Sequence, residues 1–292
     1  MYEKILVPLD GSKLAEKSLP YAEKLARKIS SQIILISVLL FGSESDEDKY
    51  HHLHQFYIQE MAKTMKEKAI KVKSVIVTGD PAEQIVDYAD KKKVDLIIMG
   101  TRGRSALKRW ILGSVADKVV SATLCPVALI TTDDAETGMG GRKILRKALV
   151  ILDGTAEGEV VIPYVEELAS KLDMEVTLLQ LVEQAYEYYA GAQDFSHVPV
   201  SKEKMNSIKA KARRHLRKLA NLLEGKGITV AAKVKMDNSA ETIIKVASKI
   251  DADLLAMATR SRPSISRWIF GSVRDEIVNI GNTLVLLVRI PE

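Results

Sequence analysis

Seven residues occur twice in this chain with a single change. Arg109-Trp-Ile-Leu-Gly-Ser-Val115 returns as Arg267-Trp-Ile-Phe-Gly-Ser-Val273, 158 residues later. The same spacing carries Val94-Asp-Leu-Ile-Ile-Met99 onto Ala252-Asp-Leu-Leu-Ala-Met257, while Leu6-Val-Pro-Leu-Asp-Gly11 returns as Leu149-Val-Ile-Leu-Asp-Gly154 at a spacing of 143. A chain that repeats itself in this way must build one domain twice. The second copy holds 15 more residues between its two matched blocks, and Glu183 to Arg214 is the simplest place for them.

The first copy closes on an apolar run, Pro126-Val-Ala-Leu-Ile130, followed by a polar, glycine-rich stretch without periodicity. Such a stretch is a linker. The boundaries expected are therefore 1–132 for the first domain, 133–142 for the linker and 143–292 for the second domain.

Within the first copy, short apolar runs alternate with segments of helical period. Lys4–Leu9, Ile33–Leu40, Lys73–Val77, Leu96–Met99 and Val127–Thr131 are expected strands. Residues 13–29, His54–Ile70, Pro81–Lys92 and Gly113–Ala122 are expected helices, the third capped by Asp80 with Pro81 in its first turn. Alternation of this kind gives a mostly parallel, doubly wound α/β sheet flanked by helices. Ligands of such sheets bind beyond the carboxyl ends of the strands.

The fourth strand runs into Gly100-Thr-Arg-Gly103, and nine residues later Gly113-Ser114 opens a helix. Glycine without a Cβ lets an anion reach the backbone amides. The helix start adds unpaired N–H groups and the positive end of its dipole. Ser114 supplies a hydroxyl, and Arg102 or Arg104 supplies charge. This is the chemistry of a phosphate cradle, set where the fold puts its ligand.

The G-x2-G-x9-G-S spacing, the opening Ile5-Leu-Val-Pro-Leu-Asp-Gly-Ser12 and the closing Cys125-Pro-Val-Ala-Leu-Ile130 together resemble the universal stress protein family, over essentially the whole chain as two tandem domains. The resemblance implies a five-stranded sheet in each domain, of the HUP or adenine nucleotide α-hydrolase-like kind. It implies ATP as ligand, with ADP and AMP as alternatives and Mg²⁺ on the phosphates. Asp10 would then stand beside the nucleoside, Pro8 would shape that turn, and Val38 would meet adenine through its backbone. Gly100, Gly103, Gly113, Ser114 and Val115 would surround ribose and phosphates. Asp10 has a second reading as a turn former in Asp-Gly-Ser. In the second copy Ala258 and Ser261 replace Gly100 and Gly103, so weak or absent nucleotide binding is expected there. The resemblance also implies pairing through the last strands, here Val127–Thr131 with Leu284–Arg289 inside one chain, and a homodimer of whole chains is compatible with it.

The function expected is a cytoplasmic ATP-binding sensor of the stress response acting through the first domain, and not an enzyme. A structural scaffold and a slow ATPase are the alternatives. No P-loop or nucleophile elbow is present, and the sequence supports no Cys–His pair. A net charge of +5, with 38 acids interspersed among 43 bases, argues against a nucleic-acid protein. No apolar run reaches the ~18 residues of a membrane span. The N-terminus lacks the pattern of a signal peptide, and the lone Cys125, in an apolar context, suits a reducing compartment as a small hydrophobe. His51, His52 and His54 are expected in a solvated loop rather than at a metal. Lys202 to Lys218 carries many cations on a helical period, with Met205, Ile208, Ala212, Leu216 and Leu219 as its apolar stripe. It is either the solvated face of an amphipathic helix or a surface for an anionic partner.

Overall fold

The computed structural model describes residues 1–40, 47–101, 112–130, 145–182, 186–189, 196–199, 201–237, 239–259 and 283–291. In the first half the chain forms β1 (Lys4–Pro8), α1 (Lys13–Glu16), α2 (Leu19–Ile29), β2 (Gln32–Leu39), α3 (Glu47–Glu67), β3 (Val72–Thr78), α4 (Pro81–Lys92), β4 (Leu96–Gly100), α5 (Ser114–Ala122) and β5 (Val127–Ile130). The second half begins with β6 (Lys147–Leu152), a 3₁₀ turn at Glu157–Val161, α6 (Ile162–Leu172) and β7 (Glu175–Leu181). A hairpin follows, β8 (Tyr186–Tyr189) with β9 (Ser196–Pro199). Then come α7 (Lys202–Glu224), β10 (Val230–Lys235), α8 (Ala240–Ile250), β11 (Leu254–Thr259) and β12 (Leu284–Arg289).

All strands but the hairpin lie in one sheet of ten, in the order β10-β7-β6-β11-β12-β5-β4-β1-β2-β3. Each half contributes five parallel strands, and the order reads the same from either edge. The halves meet antiparallel through their last strands, with Val127 opposite Leu287, Ala128 opposite Leu286 and Leu129 opposite Val285. The internal pairing expected from the sequence is thus formed. An unpaired edge strand would expose its amides and carbonyls, and this join covers two such edges at once. The continuous apolar runs of β4, β5, β11 and β12 are buried throughout, as central parallel strands covered on both faces require. Two apolar layers, one on each face, extend across both halves.

The seam is fastened at the surface as well. The buried Tyr2 donates its hydroxyl to Tyr164 O at 3.0 Å, and the N-terminal amine pairs with Glu167 at 3.4 Å. Arg289 donates to Ala122 O at 2.7 Å. Within each half one carboxylate fixes the start of the first strand. Lys4 N–H donates to Asp95 Oδ2 at 2.9 Å, and Lys147 N–H to Asp253 Oδ2 at 3.0 Å.

Several elements differ from the sequence expectation. Residues 13–29 form two helices, because Pro20 has no N–H to donate to the carbonyl of Glu16; it sits instead in the first turn of α2. The expected helix His54–Ile70 begins earlier, at Glu47, so the histidine cluster lies on a helix and not in a loop. Ala69 closes that helix with a φ of 60°, and Ile70 N–H returns to Met65 O at 3.2 Å. The hairpin β8–β9 falls within the segment assigned the extra residues.

Candidate functional site

A cavity of about 320 Å³ opens at the carboxyl ends of β1, β2 and β4. Its walls are mostly apolar: Leu9, Ala15, Ile36, Val38, Ile85 and Met99 form a slot suited to a flat ring. Its floor is made by two crossover turns. Where β1 ends, Leu9 N–H donates to Ile36 O at 2.8 Å and the chain turns through Gly11, whose φ is 81°. A left-handed residue is needed there, which glycine adopts without strain. Asp10 Oδ1 accepts from Ser12 N–H at 2.9 Å, and Ser12 Oγ caps α1 by accepting from Ala15 N–H at 3.1 Å. Asp10 is therefore a turn former, and it also lines the cavity.

Where β4 ends, Thr101 N–H donates to Ile130 O at 3.0 Å, and Gly113 N–H returns to Thr101 O at 2.7 Å. That bond brings the start of α5 back to the end of β4. Gly113 is the N-cap, with φ −62° and ψ 148°, and it has no side chain to satisfy the amides of the first turn. The first backbone bond of the helix runs from Asp117 N–H to Gly113 O at 2.9 Å. Ser114, Val115 and Ala116 lie in the first turn, and all three line the cavity. A helix start without a side-chain cap is an anion site by its geometry and by its dipole.

Of the residues singled out in the sequence, Pro8, Asp10, Val38, Gly100, Gly113, Ser114 and Val115 are brought together around this one cavity. Arg102 and Gly103 lie outside the described residues, as do Arg104, Ser261, Gly271 and Ser272. The sequence reading missed His54, Thr101 and Pro81, which also line it. Nδ1 of His54 is hydrogen-bonded to Ser37 Oγ at 2.8 Å, so the side chain expected in a solvated loop instead faces the ligand space from α3. A signal for it existed. His54, Ile58, Ala62 and Met65 follow one helical stripe, and the last three are buried.

The matching region of the second half is arranged differently. Ala258, at the place of Gly100, is buried in β11 and continues it to Thr259. Positive φ among the described glycines is found at Gly11, Gly79, Gly154 and Gly227, not at Gly100, so alanine fits that strand position without backbone strain. The larger change lies at the first turn. Asp153 Oδ1 accepts from both Thr155 N–H and Thr155 Oγ–H, at 2.9 and 2.7 Å. Gly158 stands where the first half has Ala15, and a Cβ there would come within 2.3 Å of the Asp153 carboxylate. Gln180, at the place of Ser37, lies against Gly154, where a Cβ would meet its amide nitrogen at 2.2 Å. His215 holds that amide in place, bonded to Gln180 Oε1 at 3.0 Å and to Glu159 Oε1 at 2.8 Å.

Cys125 sits away from the cavity, with its thiol donating to Val94 O at 3.2 Å. It is half-buried, and burial together with the nearby Asp95 carboxylate pushes the thiol up to about 12. A thiol so held is a poor nucleophile. Asp80, the cap of α4, is held below the usual carboxylate range first by the Glu83 backbone amide and also by Lys118 across the α4–α5 gap. Among the described residues no three His, Cys, Asp or Glu side chains converge as metal ligands, and no helix is long and apolar enough to cross a membrane.

Comparison with known proteins assigns the repeat. The model of the universal stress protein family matches residues 1–131 and again 145–289. A universal stress protein of Methanocaldococcus jannaschii is 33% identical over 140 residues, covering 44% of this chain and 82% of that protein. Universal stress protein YxiE of Bacillus subtilis is 31% identical over 150 residues, covering 44% of this chain and 99% of its own. The crystal structure of a universal stress protein from Archaeoglobus fulgidus superposes over 99% of this chain and 97% of that one, with a TM-score of 0.73 and 18% identity, which establishes a shared fold.

Proposed function

The chain belongs to the universal stress protein family, and from that premise we propose that its first half is a binding module for an adenine nucleotide, ATP foremost, with the second half silent. The observation that carries this reading is the first cavity. It joins an apolar slot to a helix start with no side-chain cap, at the edge of the sheet where doubly wound folds hold ligands. In this reading the base enters between Val38 and Ile85, Asp10 meets the ribose, and the phosphates lie on the amides of Ser114 and Val115, with Gly100 and Gly103 allowing close approach. Arg102 adds charge to the phosphates, which carry Mg²⁺ into the site. Nucleotide occupancy stabilises the first half by mass action and biases its contacts with a partner in the stress response. The module binds rather than catalyses.

Calorimetry with Mg²⁺ and ATP on the whole chain tests this reading. One site per chain of about micromolar affinity is expected. In Gly113→Val it weakens by at least about 100-fold, because the branched side chain fills the anion space while the negative φ of that residue suits valine. Folded wild-type protein that binds no nucleotide overturns the reading and leaves a scaffold. Two equal sites overturn the silence of the second half. Steady phosphate release that is lost in Gly113→Val would favour a slow ATPase.

A further inference from the structure

The two halves place one helix each at the same position, and the two helices differ in charge. Helix α3 carries four acids and three bases, whereas α7 carries two acids and eight bases, a net −1 against +6. From Lys204 to Leu223 there are seven cations and no carboxylate. The whole-chain charge of +5 conceals this concentration. The buried stripe of α7 is Ala212, Leu216, Leu219, Ala220 and Leu223. On the helical period, Lys211, Arg214 and Lys218 stand opposite it, flanked by Arg213 and Arg217, and all five are exposed. No ion pair joins them to a described carboxylate. From Lys204 to Lys218 this face runs about 21 Å along the helix.

A second group of cations lies on the opposite face of the sheet. Helix α7 packs on β10, the outermost strand of its half. On the other side of that strand Lys233, Lys235, Lys245 and Lys249 line a groove of about 360 Å³ against α8, with Lys245 held by Glu241 at 2.7 Å. A solvated helix needs no such run, as α3, with a net charge of −1, demonstrates from the same place in the fold.

We propose that the α7 face binds the phosphate backbone of double-stranded nucleic acid without reading its sequence. Three features select this occupant. A membrane-surface helix must insert its apolar stripe, and that of α7 is spent on the core. Acidic protein surfaces gain affinity from buried aromatic and apolar anchors, and Leu222 is the one large apolar side chain exposed on α7. Single strands stack their bases on aromatic rings, and α7 has no Phe, Tyr or Trp. Phosphate binding by counterion release needs only cations at a suitable reach, and arginine forks suit phosphate oxygens best. The proposal is independent of the nucleotide cavity.

The test is fluorescence anisotropy of the whole chain with a labelled DNA duplex of arbitrary sequence, between about 50 and about 200 mM salt. Binding is expected to fall along a log–log line whose slope reports about four or more phosphates. The exposed triple variant Lys211→Glu/Arg214→Glu/Lys218→Glu is expected to lose at least about tenfold in affinity and about three units of slope, with its melting temperature kept. Lys63→Glu/Lys66→Glu on α3 is expected to change nothing. No binding by folded protein at the lowest salt overturns the proposal, as does equal binding by the triple variant or an equal loss in the α3 variant. Tighter binding to phosphatidylserine vesicles or polyglutamate than to duplex at equal charge overturns it in favour of a lipid or protein partner.

Discussion

The two halves share a scaffold and differ in what they leave open. Asp95 and Asp253 both accept from the first residue of their first strand, and Cys125 and Thr283 donate to the equivalent carbonyls of Val94 and Ala252. Around Asp10 the first half leaves space. Around Asp153 the second fills it with its own side chains, through Thr155, Gln180, His215 and Glu159. Duplicated domains need not duplicate a site, because the strands obey burial whereas the turns at their ends are free to close. In the proposed reading the second half has exchanged a ligand for internal hydrogen bonds and acquired a charged face on α7.

The comparison breaks most severely at the seam. Leu129 is fully buried between β4 and β12. Leu129→Lys is expected to cost more than about 4 kcal/mol. If the halves are one cooperative unit, urea denaturation followed by fluorescence and circular dichroism will show a single shifted transition. Two transitions, only one of them displaced, would mean that the halves fold separately despite their shared sheet.

A smaller effect is expected at the cavity residue that the second half lacks. His54→Ala removes the Ser37 partner and one wall, and should weaken ATP by about fivefold in calorimetry, roughly one hydrogen bond. An unchanged affinity would place the ligand away from α3. Cys125→Thr installs the residue of the second half with its hydrogen bond, and should alter stability by less than about 1 kcal/mol in the same urea titration. The native thiol, raised to about 12, should resist iodoacetamide at about pH 8 and react on unfolding. Smallest of all, Ala258→Gly/Ser261→Gly restores the glycines of the loop yet should create no second nucleotide site, since Asp153 and Gln180 still occupy the first turn. A stoichiometry rising to two would show that the loop alone silences this half.

Much of this was legible in the residues. The repeat, the alternation of strands and helices, and the glycine spacing at Gly100 and Gly113 are local patterns, readable because burial imposes a period on sequence. The Asp80 cap and Pro81 start of α4 were equally plain, since both act within one turn. The break at Pro20 was available to the same reasoning and was overlooked. His54 stood on the helical stripe of Ile58, Ala62 and Met65, but only the packing of those three against the sheet shows that the stripe leads to the cavity.

Two α/β copies, their apolar strands and a glycine-marked strand end in the first are written in the residues alone. Those follow from the period of burial and from backbone sterics, which act over a few residues. The folding of the whole chain decided that the ten strands join into one sheet through β5 and β12. It also decided that Asp153, Gln180 and His215 meet at the first turn of the second half. Each depends on side chains far apart in the chain meeting in space, and no local period encodes which of them meet.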